Sequence, residues 1–431
     1  MAARKSLDVH INLNVRGMSP SATVAINERC NELLEKGLDI YKLGLGQSPF
    51  PVPEPVVQAL RDNAHQKDYL PVKGLRSLRH EVAAYHSRVQ GIEGDADDVL
   101  IGPGSKELMF LLQLVYYGDI VIPTPAWVSY APQADIVGRK VRWLHTLAAD
   151  EWRFLPSQLE DLCRQDPNRP RVLILNYPSN PTGLTFTKRE LEQLATVARR
   201  YRVVVLSDEI YGELMHDGSH DSIGTLYPEG TIVSSGLSKW CGAGGWRLGT
   251  FMFPKALRWL LDAMAAVASE TYTSTSAPIQ YAAVSAFRGG PEIDRYLKRS
   301  RLILSGLGRW CAGKLREAGA KSPDPHGAFY LFPDLSPLRD RLARRGIVDS
   351  EQLCMRLLEE TGVAILPGSS FGRPAQELNV RLAYVDFDGG DVLAALDRAE
   401  EEGPVDEGFL RAHCPHVTEA IERMAEWLRQ D

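Results

Sequence analysis

The 431 residues of the chain are enough for two domains, or for one large domain with a smaller companion. The formal net charge of −6 argues against a broad surface for nucleic acid. The longest apolar run, residues 108–122, is too short and too interrupted by polar residues to cross a bilayer, so we expect neither nucleic acid nor a membrane as a partner.

The cysteines and the N-terminal residues bear on the compartment. Residues 1–15 lack the apolar core of a secretory signal. Six cysteines are scattered without a CxxC pair, and the HCPH stretch at 413–416 has no second pair of ligands elsewhere in the sequence. We therefore expect a cytoplasmic protein with reduced thiols and no bound metal.

In chain order, the first distinctive segment is the proline-rich stretch PFPVPEP at residues 49–55. Proline fixes φ and removes a backbone donor, so four prolines in seven residues predict a stiff extended connector and not a helix. We expect this connector to separate an N-terminal arm from the main body of the chain.

The middle of the chain carries a strand–helix–strand pattern. Residues 171–176 (RVLILN) and 201–209 (YRVVVLSDE) are apolar on both faces, which is typical of strands buried in a parallel sheet. Between them, Thr187 and Glu190 have the spacing of a capping box at the start of a helix. This βαβ unit predicts an α/β fold.

The C-terminal part of the sequence mixes both kinds of element. We expect a helix over 351–360, a strand over 379–385, and a helix over 418–430 whose apolar residues recur at helical spacing. The last pattern predicts a helix that is docked by one face.

Polar residues follow three successive β-like runs. Asn180 lies in NYPSNPTG, Asp208 and Tyr211 lie in VVVLSDEIYG, and Lys239 follows TIVSSGLS. Because ligands of open α/β sheets bind beyond the carboxyl ends of the strands, we expect these side chains to meet there. Taken singly, each has an ordinary explanation as a turn residue, a helix cap or a surface charge.

Five short motifs carry a resemblance that covers nearly the whole chain. SNPTG, SDEIY, SGLSK, GWRLG and NVRLAY, in this order, resemble the class I/II aminotransferases of fold type I. The resemblance implies a large α/β domain with a mostly parallel central sheet flanked by helices, and a smaller α/β domain made from both termini. We place an N-terminal arm and part of the small domain at 1–51, the large cofactor-binding domain at 52–305 and the C-terminal small domain at 306–431.

The resemblance implies pyridoxal 5′-phosphate as the cofactor and assigns the residues around its ring. Lys239 matches the lysine that forms a Schiff base with it. Asp208 matches the acid that keeps the pyridine nitrogen protonated, so that the ring accepts the electrons left by proton loss. Asn180 and Tyr211 match the residues that hydrogen-bond the ring O3′. Trp127 matches the aromatic residue that stacks on the ring, with a core tryptophan as the alternative.

The phosphate of the cofactor needs backbone amides and cations. The GPGSKEL stretch is expected to form a glycine turn into a helix, with Gly104, Ser105 and Lys106 at the phosphate and Arg247 as a further cation.

One departure from the family pattern concerns a serine at the phosphate. Three residues before the lysine, where many members place that serine, this chain has Gly236. Either Ser235 or Ser238 takes the role, and the sequence does not choose between them.

Tyr69 matches a position at which the family sends a tyrosine to the phosphate of the neighbouring subunit. The resemblance therefore implies a homodimer with shared active sites. We expect the N-terminal arm, residues 1 to about 30, to wrap the partner.

The substrate of such an enzyme brings an α-carboxylate, which arginine binds in a bidentate geometry. Arg381 matches the carboxylate arginine of the family, and Gly46 and Asn180 are expected beside it. Relatives that take acidic or prephenate-like substrates have a basic residue where this chain has Ser19. That difference favours an aromatic or other apolar amino acid and leaves an acidic one open.

The motifs bind the cofactor but do not select the reaction. The leading function is amino-group transfer from an L-amino acid to a 2-oxo acid. The alternatives are other reactions of this fold and cofactor, namely C–S lysis, decarboxylation or a cyclising synthesis. A non-catalytic regulator is a further class, which the presence of Lys239, Asp208 and Arg247 disfavours.

Overall fold

A computed structural model describes residues 10–399 and 405–430 of the chain. The strands are β1 (Tyr41–Lys42), β2 (Val99–Gly102), β3 (Asp119–Thr124), β4 (Val141–His145), β5 (Arg171–Asn176), β6 (Val204–Asp208), β7 (Thr231–Gly236), β8 (Gly249–Met252), β9 (Tyr330–Leu331), β10 (Val363–Ala364), β11 (Leu366–Pro367) and β12 (Val380–Ala383). The helices are α1 (Ala22–Glu35), α2 (Glu54–Asn63), α3 (Arg76–Gln90), α4 (Ser105–Val115), α5 (Tyr130–Ile136), α6 (Pro156–Gln165), α7 (Lys188–Arg200), α8 (Ile223–Leu226), α9 (Arg258–Ser269), α10 (Ala277–Arg288), α11 (Pro291–Glu317), α12 (Arg339–Arg344), α13 (Ser350–Thr361), α14 (Gly389–Ala399), α15 (Glu407–His413) and α16 (Pro415–Arg429).

A seven-stranded sheet forms the centre of the larger unit, with the strand order β2-β8-β7-β6-β5-β3-β4. The five strands from β7 to β4 run parallel, and β8 is antiparallel to both of its neighbours. Parallel neighbours must be joined by crossovers, which here are helices such as α7 between β5 and β6. The carboxyl ends of β5, β6 and β7 therefore lie side by side.

Both faces of this sheet are covered, which explains its apolar strands. In β5, Val172 and Ile174 pack into one core cluster with α4, α5 and α9, whereas Leu173 and Leu175 pack into another with α6 and α7. Successive side chains of a strand point to opposite faces, so a strand buried on both faces needs an unbroken apolar run. The two-sided apolar pattern of residues 171–176 is confirmed as a buried parallel strand.

The smaller unit joins the two ends of the chain. β1 pairs in parallel with β10, so Tyr41 lies opposite Val363. A second small sheet has the antiparallel order β11-β12-β9 and carries Arg381 on β12. The α/β fold class, with a mostly parallel central sheet and a smaller unit from both termini, is confirmed. The domain boundaries at 51 and 305 stay a prediction.

Several predicted elements are observed within a few residues. Thr187 caps α7 with a complete capping box to Glu190, as predicted. The strand expected at 201–209 is shorter, because Tyr201 ends α7 and Arg202 adopts a left-handed backbone with φ of 53° before β6 begins at Val204. The expected helix and strand near 351–360 and 379–385 are α13 and β12.

The proline-rich connector at 49–55 was predicted to be extended throughout, and its last two residues contradict this. Helix α2 begins at Glu54, with Pro55 in its first turn. The first turn of a helix has backbone N–H groups that need no partner within the helix, so proline is well tolerated there. Only residues 49–53 form the extended connector.

The N-terminal arm, expected at residues 1 to about 30, falls partly outside the described residues, since positions 1–9 are not among them. Helix α1 begins within the expected arm and packs on its own chain, where Cys30 contacts a cluster with Ile40 and Ala364. Contact of the arm with a partner stays a prediction. No helix within residues 10–399 and 405–430 combines the length and apolarity that a membrane span requires.

Candidate active site

Three of the predicted site residues meet at the carboxyl edge of the central sheet. Asp208 is the last residue of β6, Asn180 and Lys239 lie just beyond β5 and β7, and all three line one cavity of about 370 Å³. The turn after β5 is tied to β6 because the Asn176 side chain donates to the Asp208 carbonyl oxygen at 2.9 Å and accepts from the Asn180 amide at 2.7 Å. The volume lies in the range of small-molecule sites.

The cavity collects residues from distant parts of the sequence. Its walls are formed by Thr23, Leu45, Gly46, Gln47, Ser105, Lys106, Trp127, Tyr130, Asn176, Asn180, Asp208, Ile210, Tyr211, Ser238, Lys239, Gly244, Gly245, Arg247, Tyr330 and Arg381. All predicted site residues except Gly104 and Tyr69 are among them.

Asp208 is almost completely buried, and one of its oxygens is held firmly. The Tyr130 hydroxyl donates to Oδ2 at 2.5 Å. Among the described residues, the buried Oδ1 has no hydrogen-bond partner, although the Ile210 backbone amide and the Ser234 hydroxyl lie close enough to lower the pKa of the carboxyl. Burial dominates and raises the pKa of Asp208 to about 6. A buried carboxylate with a free oxygen is suited to a cationic N–H donor of a ligand.

Lys239 lies across the cavity with its amine engaged. Nζ donates to the Gly46 carbonyl oxygen at 2.6 Å and lies 5.6 Å from the ring centre of Tyr211. Burial, followed by the positive charge of Arg381, lowers the pKa of Lys239 to about 8, although Asp208 opposes the shift. The amine is therefore neutral in a larger fraction of molecules than an ordinary lysine, as a nucleophile requires.

The opposite end of the cavity is built as an anion site. Gly104 has a φ of +95° and precedes the first residue of α4, Ser105. A side chain on Gly104 would collide with the Arg247 guanidinium, which donates to the Gly244 carbonyl oxygen at 2.9 Å. The exposed amides of a helix N-terminus beside an arginine bind phosphate well.

Two further predicted residues flank this anion site. Lys106 Nζ lies 5.0 Å from the ring centre of Trp127. Burial, and then the charge of Arg247, lower the pKa of Lys106. Ser238 lines the cavity, whereas Ser235 is buried within β7 and does not. The geometry therefore favours Ser238 over Ser235 as a phosphate ligand.

The substrate end of the cavity is formed by residues from both ends of the chain. Arg381 is 1% exposed, and its two terminal nitrogens donate to the Gly44 carbonyl oxygen and to Asn180 Oδ1, the latter at 3.4 Å. Its Nε is buried without a partner among the described residues. Burial lowers the pKa of Arg381.

Gly46 lies against the ring of Tyr330, whose hydroxyl would collide with any side chain at that position. The Tyr330 hydroxyl is 2.7 Å from that of Tyr211, and the Arg381 guanidinium carbon lies 4.9 Å from the Tyr330 ring centre. Tyr330 thus connects the residue predicted at the ring O3′ with the residue predicted at the substrate carboxylate.

Tyr69 is the predicted residue that lies away from the others. Its side chain is 91% exposed on the surface and does not line the cavity. A tyrosine that serves a neighbouring subunit would be exposed in a single chain, so its role stays a prediction.

Sequence reasoning missed Tyr130 and Tyr330. Tyr130 follows the predicted Trp127 by three residues, and its ring packs edge-on against that tryptophan at 5.3 Å. This spacing at a helix start was the available signal. Tyr330 belongs to a two-residue strand whose pattern carries no signal of its own.

A comparison with protein families identifies the fold family. The model of the family "Aminotransferase class I and II" matches residues 39–396 of this chain. The chain belongs to this aminotransferase family. It is therefore a transaminase that depends on pyridoxal 5′-phosphate, as the motifs predicted.

Individual relatives agree with this assignment. The chain is 34% identical over 402 residues to an aspartate aminotransferase of Geobacillus stearothermophilus. This alignment covers 90% of this chain and 96% of the relative. It is also 34% identical over 401 residues to an aspartate/prephenate aminotransferase of Thermus thermophilus. That alignment covers 90% of this chain and 97% of the relative. A solved structure of aspartate aminotransferase from Thermus thermophilus with maleate superposes on this chain with a TM-score of 0.83 at 29% identity. The superposition covers 97% of this chain and all of that one.

The cavity of this chain fits the cofactor of the family. The free Oδ1 of Asp208 suits a protonated ring nitrogen, and the α4 N-terminus with Arg247 suits a phosphate. Lys239 lies in the same cavity with an amine of lowered pKa. Each group that the cofactor offers has a counterpart among these side chains.

Proposed function

We propose that this aminotransferase uses Lys239 as the amine that binds the cofactor aldehyde and then carries the proton of the transamination. The observation that supports this role most directly is that a buried lysine with a pKa lowered to about 8 shares one cavity with Asp208 and Arg381. When bound, pyridoxal 5′-phosphate supplies an aldehyde carbon that bonds amines and a pyridine ring that accepts an electron pair.

Asp208 and Tyr130 serve the ring nitrogen in this proposal. The carboxylate holds a proton on the nitrogen, because burial makes the charge pair strong and water is excluded. Tyr130 fixes Oδ2 through its 2.5 Å hydrogen bond, which leaves Oδ1 for the nitrogen.

The edge of the ring at O3′ is served by Asn180 and Tyr211. Tyr211 is buried with its hydroxyl in the cavity, held at 2.7 Å by that of Tyr330. Asn180 Oδ1 accepts from Arg381, so its amide nitrogen remains as the donor for an oxygen of the ring. Trp127, half-buried in the wall, supplies an aromatic face against which the ring packs.

Arg381 binds the α-carboxylate of the amino acid. The guanidinium is buried beside Tyr330 and Phe371, at 4.9 and 5.2 Å from their ring centres, where a charge pair is strong. Its present hydrogen bonds go to neutral oxygens, which a carboxylate replaces with charge-assisted ones. Lys239 Nζ, released from the Gly46 carbonyl, then moves the Cα proton.

The side chain of the preferred amino acid follows from the cations that remain. Within the described residues, the cations of the cavity are Lys106, Lys239, Arg247 and Arg381, and we assign each of them to cofactor or α-carboxylate binding. We therefore propose an aromatic or other apolar amino acid as the donor. The names of the relatives favour a second candidate, an acidic donor such as aspartate, whose side-chain carboxylate would need a cation from elsewhere.

A half-reaction screen tests the function and separates the two donors. The purified yellow enzyme is mixed with single L-amino acids, and conversion of the cofactor absorbance to the pyridoxamine form is followed. Fast conversion by phenylalanine or leucine supports the first donor class, and fast conversion by aspartate alone supports the second. No conversion by any amino acid overturns the function.

The assembly is proposed to be a homodimer in which Tyr69 reaches the phosphate of the neighbouring subunit. Support comes from its exposed side chain and from the family position that it matches. Light scattering at micromolar concentration is expected to give twice the chain mass. A fully active monomer would contradict the shared site.

A cytoplasmic location is proposed from the thiols. All six cysteines are buried and free, as expected for a protein that folds in a reducing compartment. Fractionation of the source cells tests this, and recovery of the enzyme outside the cytoplasm would contradict it.

A further inference from the structure

The C-terminal helix α16 lies beyond the residues 39–396 that match the family. One of its faces is structural, because Ile421, Met424 and Leu428 are buried in the core of the smaller unit. A second face consists of His416, Glu419 and Arg423, at helical spacings of three and four residues. This second face packs against Tyr41.

Two residues of the second face, His416 and Arg423, contact Tyr41, the first residue of β1, and Glu419 lies between them on the helix. The Arg423 guanidinium carbon lies 4.9 Å from the Tyr41 ring centre, and the His416 ring packs edge-on at 5.7 Å. Glu419 lies close enough to the Tyr41 hydroxyl to raise its pKa, after burial as the larger cause, and forms an ion pair with Arg423 at 2.7 Å. We call these four residues the Tyr41 cluster.

The chain runs from the Tyr41 cluster directly to the substrate end of the cavity. The Lys42 amide donates to Asp386 at 2.8 Å, and the Leu43 carbonyl oxygen accepts from Ala383 at 2.8 Å. Gly44 then accepts from Arg381, and Gly46 accepts from Lys239 at 2.6 Å. Five peptide steps, about 17 Å at most, separate Tyr41 from Gly46.

This segment is short and hydrogen-bonded at residues 42, 43, 44 and 46, so a displacement at one end is transmitted to the other. β1 itself has only two residues and pairs with a strand of two residues, which is too little to fix its position alone. The cluster on α16 holds the segment from the outside, while Arg381 and Lys239 hold it from the inside.

We propose that Tyr41, held by Glu419 and Arg423 of α16, is a positioning residue that fixes residues 44–46 for binding of the substrate α-carboxylate. The inference rests on the proposed role of Arg381. Loosening the cluster lowers the fraction of molecules in which Gly44 and Gly46 are correctly placed. The apparent affinity for every amino acid then falls by that fraction, whereas the bound complex reacts at nearly the same rate.

The chain offers a matched pair of variants on one helix. Glu419 and Glu422 are both partly exposed glutamates of α16, and each is ion-paired to an arginine. Glu422 contacts Arg411 and belongs to no path toward the cavity. Tyr41→Leu is the more obvious variant, but it removes a buried side chain and can unfold the smaller unit.

The experiment compares Glu419→Ala, Glu419→Gln and Glu422→Ala as holoenzymes, with the amino acid that converts the cofactor fastest in the screen. Glu419→Ala is expected to raise KM up to about fivefold with kcat changed less than twofold, because Arg423 loses the ion pair that holds it over the Tyr41 ring and that cation–π contact weakens. Glu419→Gln restores KM because its amide oxygen still accepts a hydrogen bond from Arg423, and Glu422→Ala equals wild type.

Hydrogen exchange supplies a readout that does not depend on turnover. Amides of residues 42–47 are expected to exchange faster in Glu419→Ala and at the wild-type rate in Glu422→Ala. Equal KM values and equal exchange in the two alanine variants overturn the proposal. If Arg381→Lys leaves every KM unchanged, the carboxylate assignment fails instead, and the two failures are thereby distinguished.

Discussion

The two ends of the cavity differ in how their polar groups are satisfied before any ligand binds. At the ring end, Asp208 keeps a buried oxygen without a hydrogen-bond partner among the described residues. At the substrate end, Arg381 also keeps a buried Nε without a partner among the described residues, but its two terminal nitrogens already donate to Gly44 and Asn180, and Lys239 donates to Gly46. The cofactor therefore adds an interaction at the ring end, whereas the substrate carboxylate mainly exchanges the hydrogen bonds that the terminal nitrogens of Arg381 already make.

This difference assigns different costs to the two binding events. An unpaired buried carboxylate is unfavourable, so a cationic partner removes a penalty and gains an attraction. A substrate carboxylate must first displace carbonyl and amide oxygens, so only the surplus of charged over neutral hydrogen bonds contributes to affinity. We expect tight cofactor binding and modest substrate binding in the same cavity.

The largest expected effect comes from the ring end. Asp208→Asn keeps the size of the side chain but cannot stabilise a protonated ring nitrogen. We expect kcat to fall on the order of 10²–10⁴-fold, the equivalent of the 3–5 kcal/mol lost when a buried charge pair loses one partner. Single-turnover rates measure the effect, with circular dichroism as the check on folding. Near-normal turnover would show that the ring end is assigned to the wrong residue.

Arg381→Lys removes the bidentate carboxylate contact proposed at the substrate end of the cavity. We expect kcat/KM to fall roughly 10²-fold for every amino acid, because a lysine keeps the charge but loses the bidentate geometry, at a cost within the 2–5 kcal/mol range for such contacts. The cofactor absorbance should hardly change. Arg373→Lys is the matched control, since Arg373 is also buried but pairs with Glu377 outside the cavity. Loss for a single side-chain class only would make Arg381 a specificity residue.

Tyr130→Phe tests the contribution of the hydrogen bond from Tyr130 to Asp208 at the ring end. Removal of the hydroxyl deletes the 2.5 Å hydrogen bond to Asp208 and so raises the pKa of that carboxyl further above about 6. We expect a roughly tenfold lower kcat, because a hydrogen bond to a charged group contributes ~1.5–3 kcal/mol and Oδ1 remains in place. Tyr116→Phe, which removes a buried hydroxyl bonded to the Arg171 carbonyl, is the control. If both variants behave alike, Tyr130 is only structural.

The smallest effect is a shift along the pH axis. In the cofactor-free enzyme, the lowered pKa of Lys239 means that its neutral amine accumulates as the pH rises through about 8, below the range of an ordinary lysine. The rate at which an amine reagent such as trinitrobenzenesulfonate labels Lys239 should rise with pH and reach half its maximum near pH 8. A midpoint above 10 would contradict the burial argument.

The two ends also differ in how far sequence could predict them. Asn180, Asp208 and Lys239 each follow a strand of a parallel sheet, so the rule about carboxyl strand ends brought them together without knowledge of the strand order. The substrate end was expected only through the family resemblance of Gly46 and Arg381. Their placement in one cavity depends on a β1–β10 pairing across more than 300 residues, which no local pattern encodes.

The missed residues have physical reasons. Tyr130 reads as a core aromatic, because only the folded sheet places its hydroxyl on Asp208. Tyr330 lies in a strand too short to show a period. The apolar spacing of 418–430 predicted α16 correctly, but its contacts with Tyr41 come from the opposite, polar face, which amphipathic patterning treats as solvent-exposed.

The central claim is that Lys239 is the amine that holds the cofactor. Borohydride reduction of the holoenzyme, followed by peptide mapping, tests it most directly, because the reduction makes the bond between the amine and the cofactor permanent. We expect one labelled peptide that contains Lys239, and none from Lys106, which also lines the cavity. A label on Lys106 or on any surface lysine would contradict the assignment and the reading of the cavity that depends on it.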